Sequence, residues 1–290
     1  MTKTPLPTLP RKRFLLPLGL LLIGGCASTQ TKEERALLDA PSPTEAANEK
    51  LSAAVTAAHR SPENRARDKY RHPQATLAFF GLQDNFTVLE MYPGGGWYTE
   101  LLAPVLRERG KLLVTSSDPN GDPESYGVKR AKELDTLLKA HPEVFDEVEK
   151  VIIDDKNLSL GAANSVDMVL VFRSLHGWVQ GGSADKHLSE IFRVLRPGGI
   201  FGIEGHRGKD GKEPAGGYIP ETKAIELIQS AGFKLDGKSE VNANPNDTKD
   251  YPKGVWTLPP NFAEGDKDRE KYAAIGESDR FTLRFVKPAQ

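Results

Sequence analysis

The sequence predicts an α/β fold in which a parallel, doubly wound sheet carries helices on both faces. From residue 86 onward, short apolar runs alternate with longer segments of helical periodicity. Apolar runs without polar alternation are typical of strands that are buried on both faces, as in parallel sheets. A glycine-rich turn also separates the first apolar run from the helix that follows it.

Capping and stop signals support each predicted element. Ser61 followed by Pro62 begins a helix that His72-Pro73 ends, and Gly81 caps a second helix. Residues 196–199, Arg-Pro-Gly-Gly, end a later helix before an apolar strand, and Gly232 caps the last one. The predicted helices are 61–71, 73–80, 99–109, 128–140, 183–195 and 221–231. The predicted strands are 86–90, 111–115, 148–154, 166–172, 200–204, 233–241 and 280–286.

The first 25 residues have the pattern of an export signal. Basic residues without any acid precede an apolar run from Phe14 to Ile23, which is too short to span a bilayer. The run ends in Leu22-Ile-Gly-Gly-Cys26, which resembles the lipobox of bacterial lipoproteins, so we expect lipid attachment at Cys26. An ordinary signal with an incidental cysteine is the alternative. Ala27, where an Asp would favour retention in the inner membrane, indicates an outer-membrane anchor facing the periplasm.

Composition restricts the partners and the fold of the exported chain. Cys26 is the only cysteine, so an intramolecular disulfide is excluded. The predicted signal carries four basic residues and no acid, so the net charge of −1 becomes −5 without it, and this argues against a nucleic-acid partner. Ala, Ser, Thr, Pro and Glu dominate the residues after Cys26, and we expect residues 26–60 to be a tether outside the fold.

The strongest local motif is the turn Val88-Leu-Glu-Met-Tyr-Pro-Gly-Gly-Gly-Trp-Tyr-Thr-Glu100. Glycines between a strand and a helix let a ligand approach the backbone, and the helix N-terminus offers unpaired amides. Ligands of such sheets bind beyond the carboxyl ends of the strands. A tight turn without a ligand would have the same sequence.

Four segments of the chain together resemble a known family. They are VLEMYPGGGWYTELLAP, FRSLHGW, VLRPGGIFGIEGHR and ANPNDTKDYPKGVWTLPP. With them, residues 61–290 resemble class I S-adenosylmethionine-dependent methyltransferases, and in particular a group of largely uncharacterised bacterial members. The resemblance implies a Rossmann-like seven-stranded sheet with an antiparallel last strand, S-adenosylmethionine as cofactor, and an insert at 242–279 between the last two strands.

The resemblance also implies cofactor-binding positions. Glu90 matches the acid that ends the first strand, and the glycine motif matches Gly94, Gly95 and Gly96. Tyr92 stands where the family has its first glycine. Ser116 stands near the position of the acid that holds the ribose, so Asp118, two residues later, is the candidate for that contact.

Two further acids are candidates for the adenine contact. Asp154 and Asp155 follow the third strand, where the family has an acid that accepts from the adenine amine. Either could instead cap the next turn.

The ends of the fourth and fifth strands carry the candidate catalytic residues. Parallel strands end at the same edge of a sheet, so we expect Arg173, His176, Glu204 and His206 to surround one cleft, with Trp178 and Arg207 close to it. His176, His206 and Glu204 could act as general bases, whereas Arg173 is also a candidate cofactor ligand. Alternatively, Arg173 pairs with Glu204 and the histidines bond to loops. A metal site is the minority interpretation, because the ligands lack a tight spacing.

Three aromatic residues, Trp97, Tyr98 and Trp178, could face the sulfonium by cation–π contact, although core packing is the commoner role. The basic run Arg65 to His72 is typical of a solvated helix face, whereas the resemblance suggests a helix pair that covers the cofactor cleft. The insert at 242–279 could form a wall of the acceptor pocket or pack as an ordered loop. The sequence thus predicts methyl transfer to a small molecule, with a non-catalytic periplasmic binding lipoprotein as the alternative.

Overall fold

The computed structural model describes residues 42–154 and 158–289. The predicted signal peptide, Cys26 and Asp155 lie outside the described residues. Residues 41–290 form one compact unit. Within the described residues, no helix is long and apolar enough to cross a membrane.

One mixed sheet forms the centre of the domain. Its strands are β1 (Thr87–Met91), β2 (Lys111–Ser116), β3 (Glu149–Ile152), β4 (Val166–Phe172), β5 (Leu195–Gly208), β6 (Ile219–Pro220), β7 (Lys234–Ser239) and β8 (Arg280–Val286). The strand order is β3-β2-β1-β4-β5-β8-β7, and the short β6 pairs with β5 beside this path. Strands β1 to β5 pair in parallel, whereas β8 is antiparallel to both β5 and β7. The predicted α/β sheet with an antiparallel last strand is therefore confirmed.

Helices cover both faces of this sheet. They are α1 (Pro43–Thr56), α2 (Pro62–Ala66), α3 (Asp68–Arg71), α4 (Pro73–Phe80), α5 (Thr99–Leu106), α6 (Tyr126–Ala140), α7 (Pro142–Phe145), α8 (Leu175–Gln180), α9 (Ala184–Val194), α10 (Glu221–Ser230) and α11 (Arg269–Ile275). Alternate residues of β4 point to opposite apolar layers: Val169 and Val171 into one, Met168 and Leu170 into the other. This two-sided burial explains the continuous apolar runs in the sequence.

The structure differs from the predicted tether in the residues before position 61. Ser42 caps helix α1 and forms a capping box with Glu45, which is a strong signal for a helix start. Ala47 and Leu51 of this helix are buried in one of the two apolar layers. Residues 43–56 therefore belong to the domain, and only the chain before residue 42 remains a candidate tether.

Two other elements depart from their predicted limits. The helix predicted at 61–71 is broken at Arg67 into α2 and α3. Residues 196–199, predicted as a turn, fall within the range of β5, where the pairing register with β4 shifts between Val166 and Met168. The insert between β7 and β8 contains a 3₁₀ turn, Gly254–Thr257, and helix α11.

Candidate active site

The glycine turn follows β1 at the carboxyl edge of the sheet. Gly94 and Gly96 both have positive φ, of 61° and 85°, which L-residues with side chains rarely adopt. A Cβ on Gly96 would overlap Leu137 of helix α6, so this glycine permits close helix packing. A Cβ on Gly94 would meet no atom within 4 Å, and one on Gly95 would meet only Glu133. The turn therefore leaves open space in front of Gly94.

Glu90 is buried beneath this turn at the end of β1. Its carboxylate accepts a hydrogen bond of 2.7 Å from the Thr99 hydroxyl at the start of α5. Burial raises the pKa of Glu90 to about 7, against the opposing effects of the Thr99 bond and the positive charge of Arg173. Glu90 is therefore a buried carboxyl group that changes charge near neutrality.

Tyr92 occupies the position of the family's first glycine with a φ of 53°. Its amide donates to the Thr115 hydroxyl at 2.7 Å, and its own hydroxyl lies 2.7 Å from Nε2 of His187. The other ring nitrogen of His187 lies 2.8 Å from the Ser183 carbonyl, which can only accept, so that nitrogen carries the proton. Tyr92 is thus held by its own contacts, and its ring packs against Trp178 and His187.

The residues predicted to contact the ribose and the adenine lie apart from the residues that assemble around the glycine turn. Asp118 is exposed, and its Oδ1 accepts from the backbone and the side chain of Asn120, in a local Asx turn. Ser116 is buried, and its hydroxyl donates to the Ser117 carbonyl. Asp154 is exposed after β3. Asp118 and Asp154 remain predictions as cofactor ligands, and Asp155 lies outside the described residues.

The ends of β4 and β5 bring the two predicted histidines together. The ring centroids of His176 and His206 are 5.6 Å apart. Nδ1 of His206 lies 2.5 Å from the Ser278 hydroxyl, whereas His176 has ring contacts to His206 and Trp256 and no hydrogen bond to a described residue. Burial lowers the pKa of both rings, that of His206 strongly, and the charge of Arg173 lowers both further. Both are neutral at pH 7.

Arg173 connects the histidines with the glycine turn. Its φ is 57°, and its amide and its Nη1 donate to the carbonyl and the carboxylate of Glu204, at 2.7 and 3.1 Å. The predicted alternative of an Arg173–Glu204 ion pair is therefore present. Because the charge of Arg173 affects both Glu90 and His176, the turn and the histidines share one electrostatic environment.

Glu204 is the centre of a buried polar network. Its carboxylate accepts from the Tyr98 hydroxyl at 3.0 Å and from Arg280 at 3.2 Å. Burial opposes its ionisation, but the charges of Arg280 and Arg173 outweigh burial and lower the pKa. Glu204 is therefore a paired anion, and these contacts favour a positioning role over a role as base. Arg207 pairs with Glu221, Glu240 and Asp279, away from the histidines.

The three candidate aromatic residues are all buried. Trp97 lies under two cations, with its ring centroid 4.6 Å from the guanidinium of Arg71 and 5.2 Å from that of Arg60. Tyr98 stacks on Phe172, and Trp178 stacks on His187 with ring centroids 4.5 Å apart. The burial of Arg71 also corrects the expectation of a solvated basic face. Arg71 was missed because its burial depends on how α3 packs over the glycine turn.

The insert forms a cavity next to the histidines. The cavity has a volume of about 490 Å³, and its wall includes Tyr218, Lys249, Tyr251 and Trp256. Trp256 is partly exposed, and its ring centroid is 5.8 Å from that of His176. The predicted wall of an acceptor pocket is thus supported by position. Among the described residues, no cluster of three His, Cys, Asp or Glu side chains could hold a metal ion.

Comparison with known proteins agrees with this geometry. A family model described as "Methyltransferase domain" matches residues 89–203, which contain the glycine turn and strands β1 to β4 with most of β5. Residues 89–203 thus resemble a methyltransferase domain, and the sheet has the class I methyltransferase fold. The match supports an S-adenosylmethionine-dependent enzyme with S-adenosylmethionine as its cofactor. No curated protein matches the chain in sequence.

Solved structures share the fold of this chain. A SAM-dependent methyltransferase from Aquifex aeolicus is 19% identical, with a TM-score of 0.51 over 83% of this chain and 98% of its own. The [4+2]-cyclase SpnF is also 19% identical, with a TM-score of 0.55 over 87% and 98%. A putative sarcosine dimethylglycine methyltransferase from Galdieria sulphuraria is 15% identical, with a TM-score of 0.54 over 78% and 88%. At these identities the likeness shows the fold alone.

The described residues fit this cofactor at the glycine turn. The space in front of Gly94 would admit a ligand against the backbone, and Glu90 lies directly beneath it. The fit is weaker at the end of β2. Ser116 stands in place of the acid expected to hold the ribose, and the carboxylate of Asp118 accepts a hydrogen bond from Asn120.

Proposed function

We propose that this protein transfers a methyl group from S-adenosylmethionine to a small molecule that is bound between the glycine turn and the insert. The observation that carries the proposal is the open space at Gly94 and the pair of neutral histidines at the same edge of the sheet, with Tyr98, Glu204 and Arg173 joining them through hydrogen bonds. The cavity at Trp256 supports the acceptor side. When bound, S-adenosylmethionine supplies an electrophilic methyl group.

The residues of this chain would hold the two reactants and accept a proton. Gly94 and Gly95 would admit the cofactor against the backbone, Gly96 lets the turn pack on helix α6, and Glu90 lies in the strand that leads into the turn. His176 is the better candidate base, because its ring nitrogens have no hydrogen bond to a described residue, whereas His206 is bonded to Ser278. A neutral ring nitrogen of His176 would take the acceptor's proton as the methyl group is transferred. Positioning supplies the rest of the rate.

The location of the enzyme is also part of the proposal. The basic and apolar signal, followed by Leu22-Ile-Gly-Gly-Cys26, supports export and lipid attachment at Cys26. Ala27 supports an outer-membrane anchor that faces the periplasm. A membrane through this anchor and a small-molecule acceptor are the proposed partners, and the mildly acidic chain does not favour nucleic acid.

The experiment compares two glycines of similar backbone geometry, of which only Gly94 lies in the proposed cofactor site. Gly94→Val places a branched side chain in the space before the turn, and we expect it to weaken S-adenosylmethionine binding by about tenfold or more, or ~1.4 kcal/mol. Gly211 has a φ of 71° and equally open surroundings, so Gly211→Val imposes the same backbone strain elsewhere. Isothermal titration calorimetry on the full chain in detergent gives the affinities. Equal affinity of all three proteins would reject the turn as the cofactor site.

A non-catalytic binding lipoprotein is the second candidate. Two departures from the family pattern favour this second candidate, because both weaken expected cofactor contacts. Tyr92 stands in a glycine position, and the carboxylate of Asp118 accepts a hydrogen bond from Asn120. S-adenosylmethionine is also made in the cytosol, whereas the signal directs this chain outside it. The same titration separates the two functions: an enzyme binds S-adenosylmethionine, and a lipoprotein that only kept the fold does not.

A further inference from the structure

A cluster of arginines beside the histidines has more positive charge than its carboxylates neutralise. Within the described part of the chain, four guanidinium groups share two carboxylates: Arg67, Arg71 and Arg280 pair with Glu277, and Arg173 and Arg280 pair with Glu204. Arg71, Arg280 and both carboxylates are buried, whereas Arg67 and Arg173 are partly exposed, so part of the excess charge is poorly solvated. Buried charge without a counterion is costly, which indicates that an anion completes the cluster.

The hydrogen bonds of the cluster show where donors remain available. Only Nε of Arg71 donates to a described residue, the Glu277 carboxylate at 3.2 Å, although 96% of the Arg71 side chain is buried. Arg173 uses Nη1 on Glu204, and its Nε and Nη2 have no acceptor among the described residues. Arg280 has a fully buried Nε without a partner. Arg71 and Arg173 thus present several free N–H groups.

Arg71 and Arg173 are linked through Arg280, which pairs with both Glu277 and Glu204. Burial is the largest cause that lowers the pKa of Arg71 to about 9, and the positive charge of Arg173 is the second largest cause. An anion between these two guanidinium groups would relieve the repulsion. Planar guanidinium groups bind carboxylates through paired N–H···O bonds, so a carboxylate fits the free N–H groups of these two arginines.

We propose that Arg71 and Arg173 form a carboxylate-binding subsite, and that the methyl acceptor is an acidic small molecule whose carboxylate binds there. This inference rests on the proposed function. Arg173 and His176 both follow strand β4, and Glu204 joins Arg173 to Tyr98 of the glycine turn, so a carboxylate held by Arg173 and Arg71 places the rest of a small acceptor between the histidines and the turn. The stacking of Arg71 on Trp97, a residue of the turn, fixes its position.

The first arm of the test measures anion binding without any acceptor. The full chain in detergent is titrated with sodium acetate at constant ionic strength, and the thermal unfolding midpoint is followed. We expect a saturable rise for the wild type and for Arg67→Met, a control that removes another ion pair to the same Glu277. Arg71→Met and Arg173→Met should weaken acetate binding by about tenfold or more. Each variant is compared with its own acetate-free midpoint, and Arg173→Met suffices if Arg71→Met does not fold.

The second arm separates the acceptor from the carboxylate of the cofactor itself. S-adenosylhomocysteine affinity is measured with and without acetate, in the wild type and in both variants. We expect acetate to change the affinity for S-adenosylhomocysteine by less than about twofold, because the proposal makes the two sites independent. Competition with acetate, together with intact binding of methylthioadenosine, which lacks the carboxylate, would assign the subsite to the cofactor and overturn the proposal. Equal acetate responses of Arg67→Met and Arg71→Met would also overturn it. Absent S-adenosylhomocysteine binding with intact acetate binding would instead contradict the proposed function.

Discussion

At the scale of single residues, the ionisation of Glu90 makes the free energy of unfolding depend on pH. Its pKa of about 7 lies above the ordinary value of 4.5, so the folded protein binds this proton more tightly than the unfolded chain does. Its stabilising contribution is therefore complete below about pH 4.5 and is lost as the pH rises through 7. Glu90→Gln, which keeps the shape without the charge, should lose less stability between pH 5 and pH 8 than the wild type, by up to about 3 kcal/mol.

Denaturant unfolding at the two pH values measures this difference. Glu133→Gln serves as the control, because Glu133 is an exposed carboxylate near the same turn. The wild type and Glu133→Gln should have the same pH slope. A Glu90→Gln slope that matches theirs would mean that Glu90 is not buried as an uncharged acid.

Single residues also show what the sequence could predict of the site. The open turn at Gly94 and the meeting of His176 with His206 follow from strand order, because parallel strands end at one edge of the sheet. Arg71 could not be assigned to the site, because its burial depends on the packing of α3 against Trp97 over the turn. A basic run has the same sequence whether its residues face solvent or a buried network.

At the scale of secondary structure, the close pairing of β5 with β8 depends on a glycine. Gly205 lies opposite Phe281, and a Cβ at this position would overlap the Phe281 ring. Gly205→Ala should therefore destabilise the domain by about 1–3 kcal/mol through overpacking. A Cβ on Gly177 in helix α8 would meet no atom within 4 Å, so Gly177→Ala should be neutral or stabilising by up to about 1 kcal/mol. Urea unfolding compares them, and equal stability of both variants would contradict this packing.

Among these elements, the accuracy of prediction follows the strength of the local signal. Strands β4 and β8 begin and end at the predicted residues: β4 is an apolar run interrupted only by Asp167, and β8 has apolar residues at the alternate positions 281, 283 and 285. Helix α1 was assigned to the tether, because Ala-rich and Glu-rich segments are also typical of linkers. Its capping box at Ser42 and Glu45 was the available signal. The sequence alone does not show that Ala47 and Leu51 pack against an apolar layer.

At the scale of the whole molecule, we expect the membrane anchor and the folded domain to be independent. Cys26 lies outside the described residues, and the domain begins with the capped helix α1 after Ser42. Cys26→Ser removes the acylation site and, since Cys26 is the only cysteine, breaks no disulfide. The variant should move from the membrane pellet to the soluble fraction, while its thermal unfolding midpoint stays within about 1 °C of the wild type.

The control for this experiment is Ser28→Ala, a change of similar size two residues farther along that leaves the thiol in place. It should stay in the membrane pellet with the wild type after a high-salt wash, which removes proteins held by charge alone. If Cys26→Ser also stays in the washed pellet, the anchor is not a lipid on this residue. If the wild type is itself soluble, Cys26 is an incidental residue beside an ordinary signal. A lower midpoint for Cys26→Ser would show that the segment before Ser42 contributes to the fold, so sedimentation and unfolding together test both halves of the prediction.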